Sequence, residues 1–290
     1  MPVQRSFDEN LLNPFLKDFT FLFKRIRDSQ GELDLRLRRN AFNLYCRGCS
    51  LARVELKMAS DGQVEYNVLV NSRFASHVFS DDERFSTPQR AEQIDDERSK
   101  EPERYLAYRL HRKALQPFFQ QKYVNRLASN ITKANYGEEI VFEQMLITDN
   151  LNREELLIID RQVTGGSLKN KRLDLLALEQ VDGNKYRFLA LELKLGYNKE
   201  LSGKVEQQVR FYVESLTTGF DEWRRCYEEC YRQLRATGVF TQPSHEEIEI
   251  VRPVMGRIIV MGYSQAGQIA IRELQQQYPD VQVQQFACKI

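Results

Sequence analysis

Histidine is scarce in this chain, and none of its three copies, His77, His111 and His245, neighbours a candidate nucleophile. A serine or cysteine hydrolase needs a base within hydrogen-bonding reach of its nucleophile. The segment Gly262-Tyr263-Ser264-Gln265-Ala266-Gly267 superficially resembles a nucleophile elbow, but the Gly-x-Ser-x-Gly spacing fails by one residue. The sequence therefore argues against a serine hydrolase.

Long apolar runs and an excess of charge are also missing. Lysine and arginine number 42 against 41 aspartates and glutamates, so the net charge is +1 and any contacts with nucleic acid must be local. No segment is apolar over the roughly 20 residues that a membrane helix needs, and residues 1–8 turn polar at once instead of continuing as a signal peptide. We therefore expect a soluble, cytoplasmic protein without membrane contacts.

The cysteines do not form an obvious metal-binding array. Two pairs, Cys46 with Cys49 and Cys226 with Cys230, account for four of the five. We expect reduced thiols that pack as small hydrophobic side chains. A zinc or iron–sulfur site is the alternative.

The most informative feature present is charge inside two apolar segments. Asp174 lies within residues 173–178, and Glu192 and Lys194 lie within residues 189–194. Both segments are typical of strands, where a buried charge is costly unless it is paired or binds a metal. Side chains alternate along a strand, so Glu192 and Lys194 point to the same face.

A hairpin signal between these segments predicts how they pair. If Asp182-Gly183-Asn184 form the loop, residues whose numbers sum to 366 lie opposite each other, and Asp174 faces Glu192. A strict two-residue turn would shift this register, so we expect a three-residue loop or a compensating bulge. Two converging carboxylates suit a hard divalent cation, and a neighbouring lysine can orient water or neutralise a phosphate.

Asp174 followed by Glu192-Leu193-Lys194 resembles the active-site motif of the PD-(D/E)xK nuclease superfamily. Leu173 replaces the leading proline, at a position that varies in the superfamily. The resemblance implies an enzyme that hydrolyses DNA rather than RNA, with Mg²⁺ or substituting Mn²⁺, in defence, restriction or repair. Asp174, Glu192 and the Leu193 carbonyl would bind the metal, and Lys194 would position the attacking water. The alternative is a catalytically inactive member that binds nucleic acid or acts as a scaffold.

Two helices extend the resemblance. Gln208 and Tyr212 lie one turn apart on an amphipathic helix predicted over residues 201–216. They are similar to the Gln-xxx-Tyr element of the RecB-like branch, where these side chains border the active site, although ordinary core packing is the alternative. In this family a glutamate from the first core helix can complete the metal site. That glutamate would be Glu139, with Glu143 as the second choice; a solvated carboxylate at the start of a helix is the alternative.

The order of elements predicts an α/β (α+β) fold. A helix near 137–147 precedes strands near 155–164, 172–179 and 186–194; the Gln208 helix, a second helix, a strand near 256–263, a helix near 265–277 and a final strand follow. This αβββαβ order is similar to the restriction-endonuclease-like core, a mixed central sheet flanked by helices. We assign it to residues 135–290, as the nuclease-like domain.

The loop between the first two core strands is basic. We expect local phosphate contacts from the residues around Gly165 and Gly166, although a solvated loop is the alternative. These residues are Arg161, Lys169, Lys171 and Arg172.

The first half resembles no family known to us. Alternation in residues 33–38, 54–58 and 64–68 predicts an antiparallel, β-rich domain over residues 1–80. Residues 81–134 are predicted to be a charged linker and a helical connection. The first domain could bind DNA, a protein partner or a second copy of the chain in a homodimer.

Overall fold

The computed structural model describes residues 3–88, 90–94, 103–134, 137–262 and 265–286. Within these ranges the fold mixes helices with one antiparallel and one mixed sheet. The chain divides into two compact units. The N-terminal unit comprises Arg5–Ile140 and Gln233–Phe240, and the C-terminal unit comprises Met1–Gln4, Val141–Arg232 and Thr241–Ile290. The chain therefore passes between the units at several points, and no single cut separates them.

The N-terminal unit contains an antiparallel sheet whose strands follow the order β1-β2-β3-β4-β6-β5. The strands are β1 (Leu33–Arg38), β2 (Ala41–Cys46), β3 (Cys49–Met58), β4 (Val64–Asn71), β5 (Arg90–Ile94) and β6 (Glu103–Leu110). The helices are α1 (Glu9–Asp18), α2 (Thr20–Asp28), α3 (Ser72–Ala75), α4 (Arg112–Phe118) and α5 (Gln121–Lys133).

Apolar and charged side chains alternate along β1, and both faces of this strand are buried. Leu35 and Leu37 are buried, whereas Asp34 and Arg36, on the other face, form a buried ion pair at 2.9 Å. Strands β5 and β6 lie within residues 81–134, for which the sequence predicted a linker and a helical connection. β6 pairs with β4 over Tyr105–Leu110, so this stretch belongs to the sheet.

The C-terminal half of the chain contains the elements predicted for residues 135–290, in the predicted order. They are α6 (Glu138–Asp149), β7 (Leu156–Val163), β8 (Leu173–Asp182), β9 (Lys185–Leu195), α7 (Lys204–Thr218), α8 (Phe220–Ala236), β10 (Glu249–Met261), α9 (Gln265–Gln277) and β11 (Gln282–Phe286). Two single turns of 3₁₀ helix, Gly166–Leu168 and Lys199–Leu201, lie in the connecting loops.

The second sheet is mixed, with the strand order β11-β10-β9-β8-β7. β7, β8 and β9 are antiparallel neighbours, whereas β9, β10 and β11 are parallel. Consequently β7, β9 and β10 end, and β8 begins, at the same end of the sheet. We call this the upper end; it is marked by Val163, Leu173, Leu195 and Met261.

The two faces of this sheet have separate cores. Leu175, Leu191 and Leu193 pack with Ile147 of α6, and on the other face Ile258 and Val260 pack with residues of α7 and α9. Ile258 and Val260 pair with Glu192 and Lys194 across β9 and β10. The two charged side chains therefore lie on the α7 face of the sheet.

The predicted register of the hairpin is confirmed. From Leu175 opposite Leu191 to Gln180 opposite Tyr186, the paired residue numbers sum to 366. A shift between Gln180 and Asp182 is the expected compensating irregularity, and Gly183 adopts a left-handed φ of 50° in the turn. The paired register ends at Leu175 and Leu191; continued by one step, it would set Asp174 opposite Glu192, as predicted.

No helix in the described part of the chain combines the length and apolar character needed to cross a bilayer. The cysteines within the described ranges, Cys46, Cys49, Cys226 and Cys230, are buried and form no disulfide.

Candidate active site

The three motif residues are buried together at the upper end of the second sheet. Asp174 is the second residue of β8, and Glu192 and Lys194 lie near the end of β9. Their exposed fractions are only 6%, 1% and 7%. The predicted burial is confirmed, and the alternative of an exposed ion pair is wrong.

Lys194 makes the central polar contacts. Its Nζ donates a hydrogen bond to Glu192 Oε1 at 2.7 Å and lies 3.0 Å from Glu200 Oε2 in the loop after β9. Asp174 Oδ2 accepts a hydrogen bond from the backbone N–H of Leu193 at 3.1 Å. The strand that carries Glu192 and Lys194 therefore also holds the Asp174 carboxylate.

The surroundings keep Lys194 charged. Burial lowers the pKa of this lysine, but the charge of Glu192 and the hydrogen bond to it act in the opposite direction, as do Asp174 and Glu200. The resulting pKa lies above the ordinary value for lysine. At neutral pH Lys194 is thus a cation that can donate hydrogen bonds and offset negative charge, but cannot accept a proton.

The two glutamates that the sequence named on the first core helix have different surroundings. Glu143 is buried, and the pKa of its carboxyl is raised to about 7, first by burial and then by the charge of Asp174, against the opposing charge of Arg161. Glu139 is half-buried and lies one helical turn earlier. Both carboxylate oxygens of Glu143 are held by Arg161 and Gln162, and the choice of Glu139 first and Glu143 second stays a prediction.

Arg161 has a different role from the surface phosphate contact predicted for it. Its side chain is fully buried, with Nε and Nη2 2.9 and 2.8 Å from Glu143 Oε1, and Nη1 donates to Gln144 Oε1 at 2.9 Å. That prediction was wrong. The apolar run Leu157-Ile158-Ile159 just before it was the available signal that this part of β7 is buried.

The other three basic residues lie in the loop between β7 and β8, at the upper end. Lys169 and Lys171 are exposed, and Arg172 is half-buried. The loop is anchored below them, because Ser167 Oγ donates to the Ser215 carbonyl at 2.6 Å and accepts from Trp223 Nε1 at 3.0 Å. Two cations are thus presented to solvent on an anchored loop at the same end of the sheet as the carboxylates.

Gln208 and Tyr212 lie on α7, and each contributes differently. Tyr212 is buried, and its hydroxyl donates to the Arg172 carbonyl at 2.9 Å, so it ties the basic loop to α7. Gln208 is half-buried, and its Oε1 has no hydrogen-bond partner among the residues that the structure describes. Tyr212 therefore packs in the core, as the alternative predicted, and its hydroxyl also holds the basic loop.

The donor atoms suit a hard divalent cation held by few protein ligands. Within the described ranges, no three His, Cys, Asp or Glu side chains are grouped closely enough to hold a metal. Mg²⁺, however, commonly uses one or two carboxylates and completes its shell with water and substrate phosphate. Asp174 and Glu192, two carboxylates on one sheet face, fit that mode of binding.

Comparisons with known proteins provide no relative for this chain. No family model, no curated protein and no solved structure matches it. The assignment of function therefore depends on the residues and geometry described above.

The buried ion pair leads to a stability prediction. Lys194→Met leaves the Glu192 carboxylate buried without its lysine and should lower the free energy of unfolding by about 3–5 kcal/mol. The double variant Glu192→Gln/Lys194→Met removes both charges and should recover most of that loss. Urea unfolding of the full-length chain at pH 7 measures both effects.

Lys185→Met is the matched control, because Lys185 lies on the same strand at the lower end with a side chain 51% exposed. Its unfolding midpoint should stay close to that of the unmodified chain. If the single Lys194 variant and the double variant lose the same free energy of unfolding, the result would contradict a buried, coupled pair.

Proposed function

We propose that this chain is a metal-dependent nuclease of the PD-(D/E)xK superfamily that hydrolyses phosphodiester bonds of DNA. The observation that supports this most strongly is the burial of Asp174, Glu192 and Lys194 together at one end of a mixed sheet. Two carboxylates and a lysine in that position provide the groups that metal-assisted phosphodiester hydrolysis requires.

The arrangement of elements supports a restriction-endonuclease-like core. Helix α6 precedes the antiparallel strands β7, β8 and β9, and α7 precedes β10, which pairs in parallel with β9. This is the αβββαβ order proposed from the sequence, with α8 inserted before β10. Helices pack on both faces of the sheet.

Each site residue has a role that follows from its surroundings. Asp174 and Glu192, with the Leu193 carbonyl, would hold Mg²⁺ or Mn²⁺, which when bound activates water and stabilises charge on the phosphate. Lys194, kept protonated by its acidic neighbours, donates hydrogen bonds to the water and offsets charge that develops on the phosphate. Glu200 and Glu192 hold the Lys194 ammonium group from two sides.

The surroundings of the site favour a polyanionic substrate. Exposed lysines lie in two of the loops at the upper end: Lys169 and Lys171 between β7 and β8, and Lys199 after β9. The chain as a whole carries a net charge of only +1, so attraction for a nucleic acid has to come from such local groups. The basic loop is thus the proposed contact with the DNA backbone, together with Arg172.

A cleavage assay tests the proposed activity. The full-length chain should cut plasmid or linear DNA in the presence of Mg²⁺ or Mn²⁺ and not in EDTA. Asp174→Asn and Lys194→Ala should each lower the rate by about 10²–10³-fold, because each removes a preorganised charge from the site. Circular dichroism confirms that each variant is folded at the assay temperature.

Lys185→Ala is the control for the loss of a lysine from β9, and it should cut at the normal rate. Binding of DNA without cleavage by the unmodified chain would favour the catalytically inactive alternative. Cleavage that survives in both site variants would contradict the assignment of the site, and RNA as a second substrate tests the preference for DNA.

The basic loop leads to a separate prediction about binding. In EDTA, Lys169→Ala/Lys171→Ala should weaken binding to duplex DNA and reduce the slope of log affinity against log salt by about 0.9 for each phosphate that the loop no longer neutralises. Fluorescence anisotropy over a series of salt concentrations gives this slope. The control Lys133→Ala/Lys185→Ala changes the net charge equally at exposed positions outside the loop; equal slopes for the two double variants would rule out a specific role for the loop.

A further inference from the structure

Gln162 has a backbone conformation that is unusual for its place in the fold. It lies inside strand β7 with a φ of 52°, in the left-handed region that residues other than glycine rarely adopt. The other described non-glycine residues with positive φ all lie in turns: Gln30, Asn40, Arg47, His77 and Lys169. The turn accounts for the left-handed conformation of each of those residues, but Gln162 lies in a strand and has no such reason for it.

The register of the strands sets Gln162 beside the candidate active site. Arg161 pairs with Leu175, and Val163 pairs with Leu173. Gln162 therefore lies opposite Asp174. β7 is already irregular here, since its register shifts between Ile158 and Asp160.

The side chain of Gln162 is fixed by a charged partner. Its Nε2 donates to Glu143 Oε2 at 2.6 Å, while the Arg161 guanidinium occupies Glu143 Oε1. The NH₂ end of the amide faces Glu143, whose ionised carboxylate offers only acceptors. This contact sets the direction in which the amide oxygen points.

That amide oxygen is the second unusual feature. Gln162 Oε1 is buried, and the described part of the chain provides no hydrogen-bond donor for it. A buried acceptor without a donor is unfavourable and calls for an explanation. Left-handed backbone and an unsatisfied buried oxygen thus coincide at one residue opposite Asp174, and features of this kind concentrate at functional sites.

We propose that Gln162 is a positioning residue of the candidate active site: Nε2 holds Glu143 beside Asp174, and Oε1 accepts a hydrogen bond from the water that attacks the phosphodiester bond. This inference rests on the proposed nuclease function. In the reaction the water oxygen forms a bond to phosphorus as the bond to the leaving oxygen breaks. One proton of the water passes to solvent, and solvent protonates the leaving oxygen. Gln162 exchanges no proton and only orients the water.

The variant Gln162→Met tests this role, because methionine has a similar length and lacks the amide. We expect kcat for DNA cleavage to fall about 10²-fold, the scale of loss when a reacting group is misplaced, whereas KM stays within about threefold. The midpoint of a thermal-shift titration with Mn²⁺ should also stay within about threefold, because Asp174 and Glu192 are intact. A residue with a merely structural role would not separate kcat from both KM and metal affinity.

Gln30→Met is the matched control. Gln30 is also a glutamine in the left-handed region, with a φ of 51°, and it is exposed in the turn after α2. This variant should cut DNA at the normal rate. If Gln162→Met does not fold, Gln162→Gly replaces it, because glycine relieves the backbone strain, and the same loss of kcat is expected.

Two outcomes would refute the inference, and only the second would also refute the proposed nuclease function. If the unmodified chain cuts DNA and Gln162→Met or Gln162→Gly cuts with kcat within threefold of it, the role of Gln162 is refuted and the nuclease function stands. If the unmodified chain does not cut DNA, the proposed function and this inference fail together. Independently of activity, a crystal structure with Ca²⁺ should show an ordered water about 2.6–3.2 Å from Gln162 Oε1; a protein donor there would refute the inference.

Discussion

The ion pair between Lys194 and Glu192 is the interaction on which the rest of the site depends. Both side chains are almost fully buried in the part of β9 from residue 188 to residue 195, whose other residues are apolar, so neither charge could stay there without the other. Glu200 contacts the same ammonium group, and the Leu193 amide holds Asp174. Two carboxylates are thereby kept on one sheet face beside a permanent cation.

A second buried pair supports the neighbouring part of the site. Arg161 holds Glu143 from α6, and Gln162 takes the other oxygen of the same carboxylate. Polar groups from one helix and three adjacent strands thus meet at the upper end of the sheet, where the loops also bring exposed lysines. The apolar packing of α6 and α7 on the two faces of the sheet provides a rigid support for this arrangement.

Features set by local pattern could be predicted from the sequence, and features set by tertiary packing could not. The turn at Asp182-Gly183-Asn184 and the alternation of the flanking strands predicted the register that runs from Leu175 opposite Leu191 to Gln180 opposite Tyr186. The burial of Arg161 and its ion pair with Glu143 depend on how α6 packs on the sheet. No local sequence signal predicts the left-handed backbone of Gln162. Strands β5 and β6 were not predicted, because they lie in a highly charged stretch of sequence.

Anomalous diffraction from a crystal of the full-length chain grown with Mn²⁺ tests the central claim most directly. We expect a manganese peak bound by the carboxylates of Asp174 and Glu192, with water in the remaining positions, and no peak there in a crystal of Asp174→Asn. Manganese bound only elsewhere, or Asp174 and Glu192 on opposite faces of the sheet, would contradict a metal-dependent active site at this position.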